Sequence, residues 1–310
     1  MGKIAFVFPG QGAQSVGMGQ DVYESDPDSR KVFDEADEAL GYNQKELIFQ
    51  GPEAELKKTF HTQPALLTTS IAYYEALRKS GLTPDFVAGH SLGEYSALVV
   101  AGVLTFADAV RTVRLRGEYM ESAVPGGEGA MAAVLGAERG ALEALCARLS
   151  LEVGVVEPAN VNCPGQIVVS GSREGVQAVI EQGKEAGAKR VIPLEVSGPF
   201  HSSLMQPAAV KLADTLQNVQ MASARIPVVA NVTARPVTEP DDIRRLLVEQ
   251  VCAPVLWEDS VKWLIGQGVD TFIEIGSGTV LAGLVKKIDR SVRVLSANSK
   301  EAVDQVLAGL

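Results

Sequence analysis

The length, composition and charge of this chain exclude several classes of protein: 310 residues with 46% hydrophobic content can bury a large core, and a formal net charge of −10 argues against a nucleic-acid partner. Three widely spaced cysteines predict neither a disulfide framework nor a zinc site, so no metal is expected. Apolar runs are too short to cross a bilayer, and the chain enters an apolar strand directly after Met1-Gly2-Lys3 without a signal-peptide pattern, which predicts a cytoplasmic protein with no membrane partner.

Strand and helix patterns alternate along the first part of the chain. Strands are predicted over 4–8 and 86–88, and helices near 29–40, 64–79, 93–101 and 106–122. The alternation resumes later with strands over 228–231 and 271–275 and helices near 241–251 and 259–266. Such alternation is typical of an α/β fold with a parallel sheet. The sequence therefore predicts a large, hydrolase-like domain formed by residues 1–124 and 199–310.

The order of elements changes between residues 125 and 198. Strands are predicted over 130–135, 153–158, 166–170 and 190–196, and helices over 138–149 and 173–186. This β-α-β-β-α-β order is that of the ferredoxin-like split unit. Turn residues mark both ends, in Pro125-Gly126-Gly127 and Gly198-Pro199. We therefore expect residues 125–198 to form a ferredoxin-like small domain inserted into the large one.

A serine lies at the apex of a predicted sharp turn between strand 86–88 and the helix that follows. Gly89 and Gly93 flank Ser91 two positions away on either side. Small residues there allow a strained turn that exposes the hydroxyl, and the amide of Leu92 can face a developing oxyanion. The pattern predicts a nucleophile elbow with Ser91 as the reactive group. The alternative is an unreactive turn with an N-cap serine.

The chain offers three histidines as the base for this serine. His90 is adjacent to Ser91, and neighbouring side chains diverge on a sharp elbow, so we expect it to pack or to fix the turn. His61 lies just before Pro64, which is predicted as the first residue of a helix, and a helix-entry role is expected. His201 lies in a loop ahead of a predicted helix, where catalytic groups are often held. It is the predicted base.

Short motifs spread over the whole chain share the order and spacing of one enzyme family. They are Phe8-Pro9-Gly10-Gln11-Gly12-Ala13-Gln14, Thr62-Gln63-Pro64-Ala65-Leu66, Gly89 to Glu94, Leu115-Arg116-Gly117, Asn160-Val161-Asn162, Phe200-His201, and Gln250 before Pro254-Val255-Leu256-Trp257. Together they resemble the malonyl-CoA:acyl carrier protein transacylase family of type II fatty-acid synthesis. The resemblance implies a hydrolase-like domain with a ferredoxin-like insertion. It also implies an acyltransferase that moves a malonyl group from malonyl-CoA to the phosphopantetheine thiol of acyl carrier protein, with no bound cofactor.

The resemblance assigns roles to individual residues. Ser91 is implied as the nucleophile and His201 as its base, with the backbone carbonyl of Gln250 fixing the imidazole tautomer. The backbone amides of Gln11 and Leu92 are implied as the oxyanion hole. No catalytic aspartate is then needed, and the acyl group would rest on the serine between two half-reactions.

Selectivity follows from further residues of the same motifs. Arg116 is implied to grip the malonyl carboxylate, because its planar fork suits a bidentate contact. From the sequence alone, the alternative is a surface arginine like its neighbours Arg111 and Arg114. Phe200 and the aliphatic Leu92 fit the pattern that goes with malonyl selectivity in related acyltransferase domains. The supporting residues of the expected site are Gln250, Asn160, Gln63 and Phe200.

The expected partner presents an electrostatic problem, since acyl carrier proteins are acidic and so is this chain. Docking then needs a local positive surface near the mouth of the site. Two basic pairs are candidates, Lys189-Arg190 and Lys286-Lys287, and the alternative is that each is an ordinary solvated pair. We expect the chain to act as a monomer.

Three other functions compete with this prediction. A lipase-like esterase or thioesterase also uses a serine elbow, but it requires a catalytic acid between serine and histidine and an HGGG-type loop, which the chain lacks. An inactive scaffold that binds carrier protein conflicts with the intact set of serine, histidine, arginine and glutamine. An acyltransferase that serves a polyketide carrier stays an alternative.

Overall fold

Two sheets organise the chain. The computed structural model describes residues 2–309. Its strands are β1 (Lys3–Phe8), β2 (Phe86–Gly89), β3 (Gly129–Leu135), β4 (Val156–Cys163), β5 (Gln166–Ser172), β6 (Arg190–Pro193), β7 (Val228–Ala230), β8 (Arg235–Val237), β9 (Val269–Ile275) and β10 (Arg293–Ala297). Its α-helices are α1 (Gln20–Ser25), α2 (Pro27–Leu40), α3 (Gln44–Gln50), α4 (Glu53–Leu56), α5 (Thr59–Arg78), α6 (Gly93–Val100), α7 (Phe106–Ser122), α8 (Arg139–Glu152), α9 (Arg173–Gln182), α10 (Gln206–Gln217), α11 (Pro240–Gln250), α12 (Trp257–Gly266), α13 (Val280–Ile288) and α14 (Lys300–Gly309).

The larger sheet has the order β10-β9-β1-β2-β7-β8 and is parallel except for β8, which pairs antiparallel with β7. Alternate residues of β1 enter different cores: Phe6 and Phe8 pack into one, and Ala5 and Val7 into the other. Both faces are therefore covered, as the continuous apolar pattern of a buried parallel strand requires. The prediction of an α/β fold with a parallel sheet is confirmed.

The carboxyl ends of three neighbouring strands bring distant segments together. β1 and β2 are in register so that Phe8 lies beside Gly89, and β7 lies on the other side of β2. The loop after β1, the serine elbow after β2 and Asn231 after β7 therefore meet at one edge of the sheet. Ligand sites of open parallel sheets lie at this edge.

The smaller sheet is antiparallel, with the order β4-β5-β3-β6. One face packs on α8 and α9 through residues such as Leu142, Val169 and Val176. The opposite face contributes Met131 and Val168 to the main core. The sheet is thus covered by its own helices on one side and turned toward the large sheet on the other.

Several element boundaries differ from the sequence prediction, and in this region the strand predicted over 190–196 ends at Pro193. The strand predicted over 153–158 begins only at Val156 and runs to Cys163, because α8 continues to Glu152 and packs Leu149 into its core. Asn160 therefore lies in a strand.

The predicted start of a helix at Pro64 is also wrong. Helix α5 begins at Thr59, which places His61 and Pro64 inside it. Proline has no amide hydrogen, so the carbonyl of Phe60 is left without its helical donor. The guanidinium of Arg114 donates to that carbonyl instead, at 3.2 Å. A tertiary contact thus makes an internal proline tolerable where the local pattern predicted a helix start.

Two features are absent from residues 2–309. None of the helices there combines the length and apolar character needed to cross a bilayer. No cluster of three or more His, Cys, Asp or Glu side chains is arranged to hold a metal ion in that range. The cysteines are free thiols, and burial raises the pKa of Cys146 to about 12.

Candidate active site

Ser91 lies on the turn between β2 and α6 with a φ of 51°, a left-handed backbone conformation that side chains seldom adopt. Close packing around the turn holds it there. A Cβ atom on Gly89 would lie 1.9 Å from the carbonyl of Gly93, and one on Gly93 would lie 2.1 Å from the Phe8 oxygen. Only glycine fits at either position. The residues Gly89, Ser91 and Gly93 therefore form the sharp turn that their spacing predicts.

The Ser91 hydroxyl and the His201 imidazole are in hydrogen-bond contact, with 2.8 Å between Oγ and Nε2. On the other side of the ring, Nδ1 donates to the backbone oxygen of Gln250 at 2.7 Å. Burial and the charge of Arg116 lower the pKa of His201 to about 3. The ring is therefore neutral, its proton lies on Nδ1, and Nε2 is free to accept the serine proton.

Arg116 projects from α7 into the same site and is only 1% exposed, so it is not a surface side chain. Nη1 donates to the Gln63 amide oxygen at 2.8 Å, and Nη2 to the Gln250 amide oxygen at 2.9 Å. Nη2 also lies 3.2 Å from Ser91 Oγ. The guanidinium carbon lies 5.6 Å from the ring centre of Tyr95. These neutral acceptors fix the fork, and no carboxylate within the described residues forms a direct ion pair with it beside Ser91.

Gln11 and Leu92 line the same cavity as Ser91, and their backbone amides have no acceptor among the described residues. Gln11 follows β1, and Leu92 follows Ser91 at the start of α6. In the described part of the chain, neither amide donates to another protein group. The Gln11 side chain donates to Thr59 Oγ1 at 3.4 Å, which in turn lies 2.9 Å from Ser197 Oγ. Unsatisfied amides held in place are what a developing oxyanion requires.

A cavity that is partly open to solvent lies in front of the serine. Its polar end holds Ser91, His201 and Arg116, and its apolar walls include Met120, Met131, Leu194, Val196 and Phe200. A second cavity shares Gln11, His90, Asn160 and Leu194 with it and is walled by Val280, Leu281 and Leu284 of α13. Because the two cavities share these lining residues, they adjoin as one cleft between the sheets.

The side chain of His90 contacts the small sheet, and it was expected to pack or to fix the turn. Its Nε2 lies 2.8 Å from Asn162 Oδ1 on β4, and burial lowers its pKa. It therefore links the elbow to the small sheet. Asn160, two residues earlier on β4, lines both cavities.

Two buried polar residues of the site escaped the sequence analysis, Glu94 and Asn231. Glu94 Oε2 accepts from the Asn231 amide at 3.0 Å and from Gln250 Nε2 at 2.8 Å. Asn231 Oδ1 accepts from the Ser91 amide at 2.7 Å. Burial raises the pKa of Glu94 to about 7. The sequence did offer a signal for each residue. Glu94 is an acid next to the apolar run after the elbow, and Asn231 is a polar residue at the end of a buried strand.

All four basic residues of the candidate docking surface are exposed: Lys189, Arg190, Lys286 and Lys287. Lys287 Nζ donates to the Gln166 amide oxygen at 3.2 Å, and Gln166 lines the second cavity. Lys287 therefore lies at the rim of the cleft, whereas Lys286 Nζ donates to the backbone oxygen of Val292 at 2.5 Å. The other pair precedes Leu194, which lines both cavities.

Comparisons with known proteins agree with this geometry. The family model of the acyl transferase domain matches residues 5–309. The malonyl CoA-acyl carrier protein transacylase of Bacillus subtilis is 54% identical over 310 residues, covering 100% of this chain and 98% of the relative. The transacylase of that name from Coxiella burnetii has a solved structure with a TM-score of 0.96, at 40% identity, covering 99% of this chain and 97% of that one. A malonyl-transacylase solved in complex with a type II polyketide acyl-carrier protein also has a TM-score of 0.96, at 42% identity, covering 99% and 100%. The chain belongs to the acyl transferase domain family.

Proposed function

We propose that this chain transfers a malonyl group from malonyl-CoA to the phosphopantetheine thiol of an acyl carrier protein, through a malonyl ester of Ser91. The observation that carries the proposal is the buried Arg116 guanidinium, 3.2 Å from Ser91 Oγ. A cation at that distance can pair with the free carboxylate of an acyl group such as malonyl, whereas a simple fatty acyl chain carries no charge to pair with it. The names of the relatives describe the same transfer.

The first half-reaction uses the neutral imidazole. His201 Nε2 takes the hydroxyl proton of Ser91 as Oγ attacks the thioester carbonyl. The amides of Gln11 and Leu92 stabilise the oxyanion, and each such donor typically lowers the barrier by about 2.7–4 kcal/mol. When the intermediate collapses, the imidazolium returns its proton to the departing thiolate of coenzyme A. The serine is left as a malonyl ester.

The second half-reaction reverses these roles. The phosphopantetheine thiol enters through the cleft and gives its proton to His201, and the thiolate attacks the ester carbonyl. The same two amides hold the second oxyanion. Collapse forms the carrier thioester and returns the proton to Ser91 Oγ. Thioester and ester are exchanged without net hydrolysis, and no metal or bound cofactor takes part in the steps proposed.

The charge of Arg116 links selectivity to the chemical step. It opposes protonation of His201, whose pKa it helps to lower. A malonyl carboxylate bound to Arg116 offsets that charge and makes the imidazolium easier to form. An acetyl donor brings no such compensation. Bulky neighbours such as Phe200, which is 6% exposed, leave little space for the branch of a methylmalonyl group.

The domain organisation proposed from the sequence is supported by the two sheets. Residues 125–198 contain β3 to β6 in the order β4-β5-β3-β6 with α8 and α9 on one face, which fits a ferredoxin-like small domain. Residues 1–124 and 199–310 contain the parallel sheet with the serine elbow, which fits a hydrolase-like large domain. The cleft between them gives the phosphopantetheine arm its path.

Transfer to a carrier protein tests the function. Malonyl-CoA, acetyl-CoA and methylmalonyl-CoA compete for transfer to a phosphopantetheinylated fatty-acid carrier, and a polyketide carrier runs in parallel because one relative was solved with such a partner. We expect malonyl-carrier to form in preference to the other two acyl-carriers. Release of free malonate without carrier loading would favour the esterase alternative.

A further inference from the structure

One glutamine contacts three different parts of the site. Gln250 is the last residue of α11 and is fully buried. Its backbone oxygen accepts from His201 Nδ1 at 2.7 Å, and its side-chain oxygen accepts from Arg116 Nη2 at 2.9 Å. Its side-chain nitrogen donates to Glu94 Oε2 at 2.8 Å. The orientation of this single amide therefore decides whether Nη2 of Arg116 has an amide acceptor, while Nη1 is held by Gln63.

The two ends of the amide face opposite charges. Its oxygen faces a guanidinium and its nitrogen faces a carboxylate. Turning the amide over would place an NH₂ group against Arg116 and an oxygen against Glu94, and both contacts would be repulsive. The nitrogen also donates to the Ser91 carbonyl at 3.1 Å and to Asn231 Oδ1 at 3.3 Å, but the carboxylate of Glu94 is its nearest acceptor and the one that carries a charge. Glu94 thus contributes most to the orientation of Gln250 that supports Arg116.

Glu94 is itself held firmly. It is 2% exposed and lies on the first turn of α6, directly after the elbow. The same carboxylate oxygen accepts from the backbone amide of Asn231. The side chain of Asn231 in turn accepts from the Ser91 backbone amide and donates to the Gly89 carbonyl at 2.6 Å. Burying an acid costs solvation energy that an apolar side chain would not cost. A functional role for its contacts would explain why a glutamate is buried at this position.

We propose that Glu94 is a positioning residue for substrate selection: its carboxylate fixes the Gln250 side-chain amide, and the amide holds the Arg116 guanidinium ready for the carboxylate of the acyl donor. Glu94 contacts no reacting atom. The inference rests on the proposed function, because it gives Glu94 a role in choosing malonyl over acetyl donors.

The chain contains a matched control for this residue. Glu274 on β9 is also buried, and burial raises its pKa to about 7, as for Glu94. Its two oxygens accept from the amides of Leu281 and Ala282 at the start of α13, at 3.0 and 2.7 Å. The two acids therefore share burial and proton affinity and differ in what they hold.

The test compares Glu94→Gln with Glu274→Gln. The readout is the ratio of kcat/KM for acylation of Ser91 by malonyl-CoA to that by acetyl-CoA. We expect Glu94→Gln to lower this ratio on the order of 10- to 100-fold, the range of one hydrogen bond to a charged group. Glu274→Gln should leave the ratio unchanged. Equal ratios in the two variants would overturn the proposal, since Glu94 would then be only structural.

A double-mutant cycle tests the route through Gln250. Gln250→Ala removes the amide but keeps the backbone carbonyl that holds His201, so it should lower the ratio. Adding Glu94→Gln to it should cause no further loss, whereas additive losses would overturn the proposal. If Glu94→Gln does not fold, Glu94→Asp serves instead, because it keeps the charge and withdraws it from Gln250.

The wild-type measurement separates this inference from the proposed function. If wild type shows no preference for malonyl-CoA over acetyl-CoA, the proposed function itself fails. If wild type shows the preference and the Glu94 variants retain it, only the positioning role fails.

Discussion

Replacing Arg116 by alanine is the most informative perturbation of the site. The guanidinium is 1% exposed and hydrogen-bonded to two amide oxygens, so its removal leaves the malonyl carboxylate in a buried site without a cation. Removing one partner of a buried pair costs about 3–5 kcal/mol. At about 1.4 kcal/mol for each factor of ten, malonyl transfer should fall on the order of 10² to 10⁴-fold.

Acetyl transfer supplies the internal reference for this variant. An acetyl group has no carboxylate, so Arg116→Ala should reduce its transfer far less than that of malonyl or even improve it. The assay is kcat/KM for both donors, with Arg114→Ala as control, because Arg114 lies on the same helix and contacts His61 and Glu118 outside the site. Equal losses for malonyl and acetyl in Arg116→Ala would refute the assignment and make Arg116 structural.

Three further predictions concern pH and docking. Because the pKa of His201 is lowered to about 3, kcat/KM for malonyl-CoA in Glu94→Gln, which lacks the carboxyl group whose pKa is raised to about 7, should show no inflection near the ordinary 6.5 of histidine in a pH series; a half-drop at that pH would contradict the neutral, buried ring. The pKa of Glu274 is raised from 4.5 to about 7, so between these two pH values the native state holds a proton that the unfolded chain has lost. The stability that this proton contributes is fully present below pH 4.5 and is lost as pH rises through about 7. In Glu274→Gln, the fall in the free energy of unfolding between those pH values should become shallower by up to about 1.4 kcal/mol per pH unit, as measured by urea denaturation, and an unchanged slope would count against this. The four residues of the candidate docking surface are Lys189, Arg190, Lys286 and Lys287. Changing all four to Glu should raise the KM for carrier protein and abolish the salt dependence of that KM, while acylation by malonyl-CoA stays nearly unchanged. Carrier kinetics like those of wild type would mean that the carrier docks elsewhere.

The elbow was predictable because its signal is local. Gly89 and Gly93 stand at fixed distances from Ser91, and the close approaches that exclude a Cβ atom act within a few residues. The parallel sheet was predictable for a similar reason, since strand and helix patterns alternate along the chain. His201 followed by elimination among three histidines.

Other features depend on contacts that no local pattern records. Arg116 cannot be told from Arg114 by spacing alone, and its assignment came from the family resemblance. Glu94 reaches the Asn231 amide across 137 residues of sequence, which is why its role emerged only with the fold. The start of α5 was misplaced because the Phe60 carbonyl that Pro64 leaves free finds its donor on another helix.

The acyl-enzyme mechanism is tested by the intact mass of the protein after brief mixing with malonyl-CoA in the absence of carrier. The mechanism predicts one added malonyl group, located on Ser91 by peptide mapping, absent from Ser91→Ala, and discharged when phosphopantetheinylated carrier protein is added. A protein that transfers malonyl to the carrier with no acyl-enzyme, and with kinetics that require both substrates bound together, would contradict it.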